Sequence, residues 1–533
     1  MSLFSMIFTA GPMGIPTWLL LLLLLIVLLY IYGTRTHDIF KKMGVPFVKP
    51  WPLVGTLFYQ ARRGFFNDHN LVKEFNSKIF GLWEGSTPVL VICDPELIKQ
   101  VTVKDFDSFV NRRQISLPMN EEFKYAISIL QNDEWKGARS VITPSFSGSK
   151  MKKMTPMINE CCRELVEWMK EQTIAGGGKA DVDMKQVAGC FTMDVIARTM
   201  FGMNVNSMKE NESSDFVKYA RVAFDSFALT DPRLLFFFMF PFLAKWYENT
   251  GRGVFNLDAM NFFKNQVYRI LDLRQSMQQK PVDFLQLMLD ANTSEKQQYE
   301  AAGEADQKTD VEKQIHDWRV GKRALTKKEI LSNAIIFMLA GYETTATTIS
   351  WMMHQLALHP ECQEKLRQEV ELLVQQHEGD ISYEAISSMQ YLEQVFCETL
   401  RLYPPAQRSD RVCLRDCTVR DVRIPAGTVV NIGIWALHRD KDYWTDPDKF
   451  DPERFSPENK EKIVPYSWIP FGAGPRNCVG MRLAILEVKI ALVNVLRNFR
   501  ITTCEKTEVN PLLKPAGFST PKSGKIFVRL ESL

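Results

Sequence analysis

A single cysteine near the carboxyl end of the chain has the sequence surroundings best suited to chemistry. Cys478 lies in the segment Phe471-Gly-Ala-Gly-Pro-Arg-Asn-Cys-Val-Gly480, directly before an apolar stretch that begins near Met481. The glycines of this segment allow positive φ and let the backbone approach a flat ligand. The following helix directs its free N–H groups at Cys478, which predicts a lowered thiol pKa. Such a thiolate is suited to bind haem iron and promote cleavage of an O–O bond.

A carboxylic acid and a cluster of threonines interrupt a second long apolar stretch, residues 331–358. Its centre reads Ala340-Gly-Tyr-Glu-Thr-Thr-Ala-Thr-Thr348. Glycine costs a helix interior about 1 kcal/mol relative to alanine, and threonine is also a poor helix former. The small residues open one helix face to a flat ligand, and Glu343 beside Thr344 can relay protons. In the alternative interpretation, the threonine hydroxyls only bond to carbonyls one turn earlier and bend the helix.

Charged residues in the predicted elements around this site could hold it in position. Arg401 follows Glu398 by three positions, so the two side chains face one side of a predicted helix and can pair. Arg454 follows in the segment Pro452-Glu-Arg-Phe455. The order of these motifs along the chain resembles that of the cytochrome P450 superfamily of haem-thiolate monooxygenases. The threonine helix comes first, then Glu-x-x-Arg, then Pro-Glu-Arg-Phe and last the cysteine loop. The rest of the chain is similar to the animal microsomal clan that contains the drug-metabolising third family, subfamily A, and thromboxane synthase.

The resemblance implies a cytochrome P450 fold, mainly α with small β-sheets, and a haem b cofactor with Cys478 as its axial thiolate. Thr344 and Glu343 take the family's proton-delivery positions, and Glu398, Arg401 and Arg454 form a buried structural network. Contacts to haem are implied at Arg112, Trp135, Arg139, Arg411 and Arg476, and contacts to substrate at Ser128, Ile336, Leu339, Ala340 and Ala406.

The implied activity is insertion of one oxygen atom from O2 into lipophilic substrates such as steroids, fatty acids and xenobiotics. Because no nucleotide-binding glycine motif follows a predicted strand, electrons are expected from NADPH through a separate cytochrome P450 reductase, with cytochrome b5 as a further candidate partner. An alternative is an isomerase similar to thromboxane synthase, which needs no reductase. Its support includes the segment Leu486-Glu-Val-Lys489, whereas Thr344 favours the monooxygenase. A haem protein that only senses or carries gas is a third, weaker hypothesis.

The first part of the chain predicts a membrane anchor. Residues 1–33 contain no charged side chain and include a dense run of leucines, followed by Arg35, Lys41 and Lys42. By the positive-inside rule, residues 34–533 form a cytosolic haem-binding domain on the endoplasmic reticulum membrane. A cleaved signal peptide is disfavoured because no basic residue precedes the apolar run and no small-residue cleavage site follows it.

Composition limits the remaining function classes. The chain has 533 residues, a net charge of +3 and no basic stripe interleaved with aromatic residues, so nucleic acid is not an expected partner. The ten cysteines lack the spacing of a disulfide framework. The apolar segment 231–247 has two interpretations, a dip into one membrane leaflet or a buried core segment. Residues 292–329 are strongly polar and predict a solvated loop.

Overall fold

The computed structural model describes residues 16–114, 117–210, 213–226, 231–278, 283–290, 324–377, 379, 381–515 and 518–533. Across these residues the fold is mainly helical with small sheets, as predicted. The helices are α1 (Thr17–Thr34), α2 (Ile39–Met43), α3 (Leu57–Arg63), α4 (Asp68–Phe75), α5 (Pro95–Lys99), α6 (Asn132–Ile142), α7 (Gly148–Ala175), α8 (Met184–Phe201), α9 (Ser207–Glu210), α10 (Asp215–Asp225), α11 (Pro232–Met239), α12 (Ala244–Glu248), α13 (Leu257–Ser276), α14 (Phe284–Asp290), α15 (Lys327–Leu358), α16 (Pro360–Gln376), α17 (Tyr383–Ser388), α18 (Gln390–Leu402), α19 (Ile434–Leu437), α20 (Pro457–Lys460) and α21 (Met481–Leu496).

The strands form small sheets at the edge of the helical body. They are β1 (Ile79–Glu84), β2 (Thr87–Ile92), β3 (Lys179–Asp183), β4 (Ser409–Val412), β5 (Cys417–Val419), β6 (Val422–Ile424), β7 (Val429–Ile432), β8 (Phe499–Thr502) and β9 (Phe527–Ser532). Their orders are β1-β2-β7-β4, β3-β9-β8 and β5-β6, and β2 pairs with β7 in parallel. A turn at Pro425-Ala-Gly427 connects β6 to β7, and Gly427 has a φ of 81°.

Helix α15 crosses the centre of the protein and organises the main core. A capping box at Thr326 and Glu329 starts it, because each side chain accepts from the other residue's backbone N–H. It packs along α8 and also contacts α13, α18 and α21. Its apolar side chains join one large buried cluster with those of α7, α8 and α21. The cysteine loop before α21 and the threonines of α15 are therefore held by the same core.

The amino-terminal helix stands apart from this core. Helix α1 carries no charged residue, and its leucines are about half exposed. Among the described residues it is the one helix long and apolar enough to cross a membrane. It ends at Thr34, one residue beyond the predicted boundary of the anchor, and the ring of Tyr32 contacts that of Phe242 at a centroid distance of 6.1 Å.

The apolar segment 231–247 divides its side chains between the interior and solvent. Leu234 and Phe237 are buried in a local cluster, whereas Phe242 and Trp246 are 65% and 67% exposed. The segment is therefore not a simple core segment, and the exposed ring of Phe242 lies beside the end of α1. Residues 292–323 of the predicted polar loop lie outside the described part of the chain.

Candidate active site

The cysteine loop, residues 471–480, presents Cys478 at the amino-terminal end of α21. Its closing bond runs from the N–H of Cys478 to the carbonyl oxygen of Phe471 at 2.8 Å. Gly474 has a φ of 70°, a conformation that glycine adopts at little cost. A Cβ atom on Gly474 would also stand 1.9 Å from the carbonyl oxygen of Thr102. This glycine is therefore required for both backbone conformation and close packing.

Cys478 faces a cavity and is exposed to it, so a ligand can reach the thiol. Burial raises its pKa, and the N–H of Gly480 and the charges of Arg139 and Arg112 oppose that effect. The helix end therefore acts in the predicted direction, but burial is the larger effect on the thiol pKa. Coordination to a metal ion would deprotonate the thiol outright.

The cavity has a volume of about 360 Å³ and mostly apolar walls. This volume lies at the lower end of the range for small-molecule sites. Its walls come from α15, α18, α21, the cysteine loop and the segment around β4. The apolar residues include Ile127, Phe146, Phe337, Phe396, Leu400, Ile434 and Leu483. Cys478 is thus accessible from a site suited to a flat apolar ligand and a lipophilic substrate.

The structure brings Thr344 to this cavity wall, one turn after Ala340 on the same face of α15. Its Oγ1 donates to the carbonyl oxygen of Ala340 at 2.7 Å. Thr347 and Thr348 make the same bond to carbonyls one turn earlier. The threonine hydroxyls therefore bond to carbonyls one turn earlier, as the alternative interpretation predicts. Thr344 nevertheless faces the cavity. Its hydroxyl oxygen remains available to accept a hydrogen bond.

Glu343 lies on another face of α15 and is not among the cavity-lining residues that the structure describes. Its Oε1 accepts from Lys185 Nζ at 2.7 Å, and both side chains are mostly buried. Lys185 also donates to Thr347 Oγ1 at 2.7 Å. The cavity face of α15 includes Ala340 with Gly341 and Thr344 with Thr345, and Glu343 lies on the other side of Thr344, about 100° further around the helix and outside that face. The predicted carboxyl–hydroxyl pair is not formed in this structure.

Gly341 serves mainly the contact between two helices. A Cβ atom at this position would stand 2.4 Å from Cδ1 of Ile196 on α8. The glycine therefore lets α15 and α8 approach each other, in addition to lining the cavity. Its cost as a helix-interior residue is compensated by this close packing.

Four of the five predicted substrate positions line the cavity, namely Ser128, Ile336, Ala340 and Ala406. Leu339 does not appear among the described cavity-lining residues and is 3% exposed in the main core. Ile336, Ala340 and Thr344 are spaced by four residues and form one stripe of α15. Leu339 lies off that stripe, which explains its placement.

Buried arginines at one end of the cavity form a site for anions. Arg476 donates to the carbonyl oxygens of Val110 and Leu130, but its Nη1 has no partner among the described residues. Burial and the charges of Arg112 and Arg411 lower the pKa of Arg476 to about 8. Burial and the charge of Arg112 lower the pKa of Arg411 to about 9, and its Nε also has no partner among the described residues. A bound carboxylate would accept hydrogen bonds from Arg476 Nη1 and Arg411 Nε, and its negative charge would raise the pKa of both arginines.

The remaining predicted haem contacts hold the loop and the arginines in place. Arg139 donates to both the carbonyl oxygen and the side-chain Oδ1 of Asn477, at 3.0 and 2.7 Å. The guanidinium of Arg476 lies 4.0 Å from the ring centroid of Trp135. Arg112, Trp135, Arg139 and Arg476 line the cavity, whereas Arg411 is buried beside it and donates to the carbonyl oxygen of Ala473 at 3.3 Å.

The predicted charge network is formed, with Glu398 and Arg401 fully enclosed and Arg454 partly exposed. Arg401 donates from Nε and Nη2 to the two carboxylate oxygens of Glu398, each at 2.7 Å, and both side chains are 0% exposed. Arg454 lies 3.4 Å from the same carboxylate. Arg401 also donates to the carbonyl oxygen of His438 at 2.9 Å. The imidazole Nε2 of His438 accepts from the N–H of Ile469 at 2.9 Å, two residues before the cysteine loop.

His438, which connects Arg401 to Ile469, must stay neutral so that its Nε2 can accept a hydrogen bond from a backbone N–H. Burial and the charges of Arg401 and Arg439 lower the pKa of His438 to about 3. Sequence reasoning did not assign a role to His438, Asn477 or Lys185. The motif Ala436-Leu-His-Arg439 was the available signal for the histidine, but its partner at Ile469 is known only from the fold.

The fold and site define a haem-thiolate protein, and the chain belongs to the cytochrome P450 family, whose profile matches residues 45–528. It is 40% identical over 508 residues to cytochrome P450 3A6 of Oryctolagus cuniculus, with 95% of each chain covered. It is also 40% identical over 513 residues to cytochrome P450 3A18 of Rattus norvegicus, covering 95% of this chain and 97% of the relative. Cytochrome P450 3A11 of Mus musculus matches at 40% over 514 residues, or 96% and 95% of the two chains. The chain is a cytochrome P450 monooxygenase, and the family resemblance is confirmed.

Haem with a cysteine axial ligand is the cofactor of this family, and the site fits it. Cys478 would supply the sulfur ligand, and the apolar walls suit the flat ring. Arg476 Nη1 and Arg411 Nε have no partner among the described residues, and the two haem propionates would provide one for each. When bound, thiolate-ligated haem activates oxygen for insertion into an unreactive bond. The protein's part is to hold the sulfur and to enclose the ligand in apolar walls.

Replacing Arg476 with glutamine is expected to weaken haem retention. A charge-assisted hydrogen bond contributes about 1.5 to 3 kcal/mol, which corresponds to haem loss faster by roughly tenfold or more. The rate of haem transfer to an excess of a haem-scavenging protein measures this effect. Arg482→Gln, on the first turn of α21, is the matched control. Equal loss rates in both variants would contradict an anion site at Arg476.

Proposed function

We propose that this monooxygenase oxidises lipophilic small molecules, with electrons from NADPH delivered by a separate cytochrome P450 reductase. The observation that carries the proposal is the cavity in which Cys478 and Thr344 share mostly apolar walls. An apolar wall recognises a lipophilic molecule by burial, at about 25 cal/mol per Å² of apolar surface removed from water. Steroids, fatty acids and xenobiotics fit this description. The substrate positions are Ser128, Ile336, Ala340 and Ala406, without Leu339.

The protein is proposed to work at the endoplasmic reticulum membrane, with residues 1–33 as anchor and residues 34–533 as a cytosolic catalytic domain. Support comes from the apolar α1 and from the contact of Tyr32 with Phe242. Phe242 exposes a large ring beside the anchor, and Trp246 exposes another in the same segment; such side chains favour the lipid interface. A lipophilic substrate dissolved in the membrane would then meet the protein on this side.

The reductase is proposed to dock on basic residues at the start of α7. Lys150, Lys152 and Lys153 are neighbours there, and burial, together with the charge of Lys153, lowers the pKa of Lys150. Lys152 is engaged with Glu384 at 2.6 Å, so Lys150 and Lys153 are the better candidates for an acidic partner. Cytochrome b5 is proposed as an alternative donor at the same surface.

The decisive experiment reconstitutes the full chain in vesicles and offers steroids and a prostaglandin endoperoxide, each with and without reductase and NADPH. Product from steroids that requires both reductase and NADPH is the expected result. Adding cytochrome b5 tests the second donor. Rapid rearrangement of the endoperoxide without any electron donor would instead support the isomerase. The similarity to monooxygenases of subfamily 3A favours the first outcome.

Replacing Thr344 with alanine is expected to uncouple electron use from product formation. The proposed role of its hydroxyl is to pass protons into the cavity, and general acid catalysis contributes at least about a hundredfold where it is fully used. Because water can replace the hydroxyl in part, we expect product per NADPH to fall by roughly tenfold, with peroxide released instead. Product, NADPH and peroxide are measured in the same reaction.

Ser350→Ala is the matched control for this variant. Ser350 is buried on the same helix, and its Oγ donates to the carbonyl oxygen of Ala346 at 2.6 Å, the same backbone bond that Thr344 makes. It should leave coupling unchanged. If Thr344→Ala gives as much product per NADPH as Ser350→Ala, the hydroxyl of Thr344 has only a structural role.

A further inference from the structure

Two cysteines after strand β4 bring their sulfur atoms into direct contact. Cys413 follows β4, Cys417 is the first residue of β5, and their Sγ atoms lie 3.5 Å apart. Both are free thiols. Neither is among the described residues that line the cavity of Cys478, so the pair is a separate site.

The two thiols differ in their access to solvent. Cys413 is 0% exposed and belongs to a buried apolar cluster, whereas Cys417 is partly exposed. Residues 414–416, which connect them, are exposed. Oxidation of a cysteine depends on exposure and on thiolate character. A small oxidant in solution therefore reaches the sulfur of Cys417 before that of Cys413.

The backbone fixes Cys413 more firmly than Cys417. The N–H of Cys413 donates to the carbonyl oxygen of Thr428 at 2.9 Å, and its own carbonyl oxygen accepts from the N–H of Gly427 at 2.7 Å. Cys417 belongs to the ribbon β5-β6, in which each strand has three residues. An S–S bond is about 2.05 Å long, so the two sulfurs must approach by roughly 1.5 Å. A small shift of this short ribbon supplies that approach.

The hydrogen bond between the thiols gives each a different part. Burial raises the pKa of both, that of Cys413 to about 12. The bond between them acts to lower the pKa of Cys417 and to raise that of Cys413. Cys417 therefore ionises first, and Cys413 donates to its thiolate. An accessible thiolate beside a second thiol favours a disulfide, because the neighbour captures the first oxidation product.

We propose that Cys413 and Cys417 form a reversible disulfide when the protein meets hydrogen peroxide. The thiolate of Cys417 attacks one peroxide oxygen, the O–O bond breaks, and hydroxide leaves as Cys417 becomes a sulfenic acid. The sulfur of Cys413 then displaces the hydroxyl group of that acid. The hydroxyl leaves as water with the proton of Cys413. The two thiols lose two electrons in total, and one peroxide becomes two waters. Two molecules of a small thiol such as glutathione reduce the disulfide again by exchange.

Peptide mass mapping of the full-length, haem-loaded protein in vesicles tests this disulfide. The protein is reduced, freed of reductant, treated with hydrogen peroxide and then unfolded in an alkylating agent. We expect Cys413 and Cys417 to be recovered as a linked pair without alkyl label, and to carry the label again when glutathione is added before alkylation. Cys362 is the internal control, because it is also partly exposed but its thiol contacts a carboxylate of Glu361. Alkylation of both Cys413 and Cys417 after peroxide, or a sulfinic acid at Cys417 without a link, would overturn the proposal.

Two variants test the separate parts of the thiols. Cys413→Ala removes the capturing thiol, so a dimedone reagent should trap at least about tenfold more sulfenic acid at Cys417 than in wild type, since an adjacent thiol reacts with a large effective concentration. Equal trapping in the two proteins would contradict the capture step. Cys417→Ser changes the partly exposed position and should leave Cys413 reduced after peroxide. If Cys413 is oxidised in Cys417→Ser as readily as in wild type, the proposed order of attack is wrong. The thiolate spectrum of each variant before treatment shows that it is folded.

Discussion

Replacing Cys478 with alanine is expected to abolish oxidation and to remove the thiolate signature from the reduced carbon-monoxide spectrum. The loop presents this sulfur to the cavity at the end of α21, and no other cysteine of the described residues lines that cavity. Without the sulfur, haem loses its axial ligand and the electron donation that promotes O–O cleavage. The expected loss of turnover is complete, because no neighbouring side chain of the loop can replace a thiolate.

Cys362→Ala is the control for this variant. Cys362 is a partly exposed thiol on α16, away from the cavity, so its removal should leave both spectrum and turnover unchanged. Measuring haem content alongside separates loss of the ligand from loss of the cofactor. A Cys478→Ala protein that kept the thiolate spectrum would show that another sulfur ligates the haem.

The sequence motifs predicted the parts of the site that are formed by residues close together in the sequence. The cysteine loop, the helix after it and the paired charges at Glu398 and Arg401 are formed by neighbouring residues, so their spacing carries the information. The mainly helical fold could be predicted for the same reason. Partners from distant elements could not be predicted, such as Lys185 for Glu343 and Ile469 for His438.

Two misplacements could have been avoided from helix geometry alone. Ile336, Ala340 and Thr344 repeat every four residues, which fixes the face of α15 that meets the cavity. Leu339 and Glu343 each precede a member of this stripe by one residue, about 100° around the helix. The family motif places Glu343 and Thr344 side by side in the sequence, whereas the helix turns their side chains in different directions.

The thiol pKa shows a different limit of sequence reasoning. The helix end was expected from the motif, and the N–H of Gly480 does act to lower the thiol pKa, as do the charges of Arg139 and Arg112 from outside the motif. The larger opposing effect is burial, which depends on how the whole fold encloses the loop. A short motif identifies a residue, but only the fold gives its environment.

Burial also separates the structural Glu-x-x-Arg motif from similar pairs elsewhere in the chain. Glu364 and Arg367 on α16 have the same spacing as Glu398 and Arg401, and Arg367 likewise binds both carboxylate oxygens of its partner. The side chains of Glu364 and Arg367 are 44% and 23% exposed, whereas those of Glu398 and Arg401 are 0% exposed. Exposed pairs of this kind contribute about 0 to 1 kcal/mol, because water solvates each charge when its partner is lost.

Replacing Arg401 with methionine is therefore expected to destabilise the protein by about 3 to 5 kcal/mol. The change leaves the buried Glu398 carboxylate with only Arg454 and the N–H of Asp451 among the partners described. It also removes the donors to the carbonyl oxygens of His438, Pro447 and Lys449. The support of His438 for Ile469, and with it the position of the cysteine loop, should weaken as well. Thermal unfolding of the haem-loaded protein and the fraction with an intact thiolate spectrum measure the two effects.

Arg367→Met is the matched control, since it breaks a pair of the same spacing and bonding geometry on the protein surface. It should change stability by no more than about 1 kcal/mol and leave the thiolate spectrum intact. If Arg401→Met unfolds at the temperature of Arg367→Met, the buried network does not stabilise the fold. If Arg401→Met is destabilised but keeps a full thiolate spectrum, the network supports the fold without positioning the loop, and the connection through His438 is wrong.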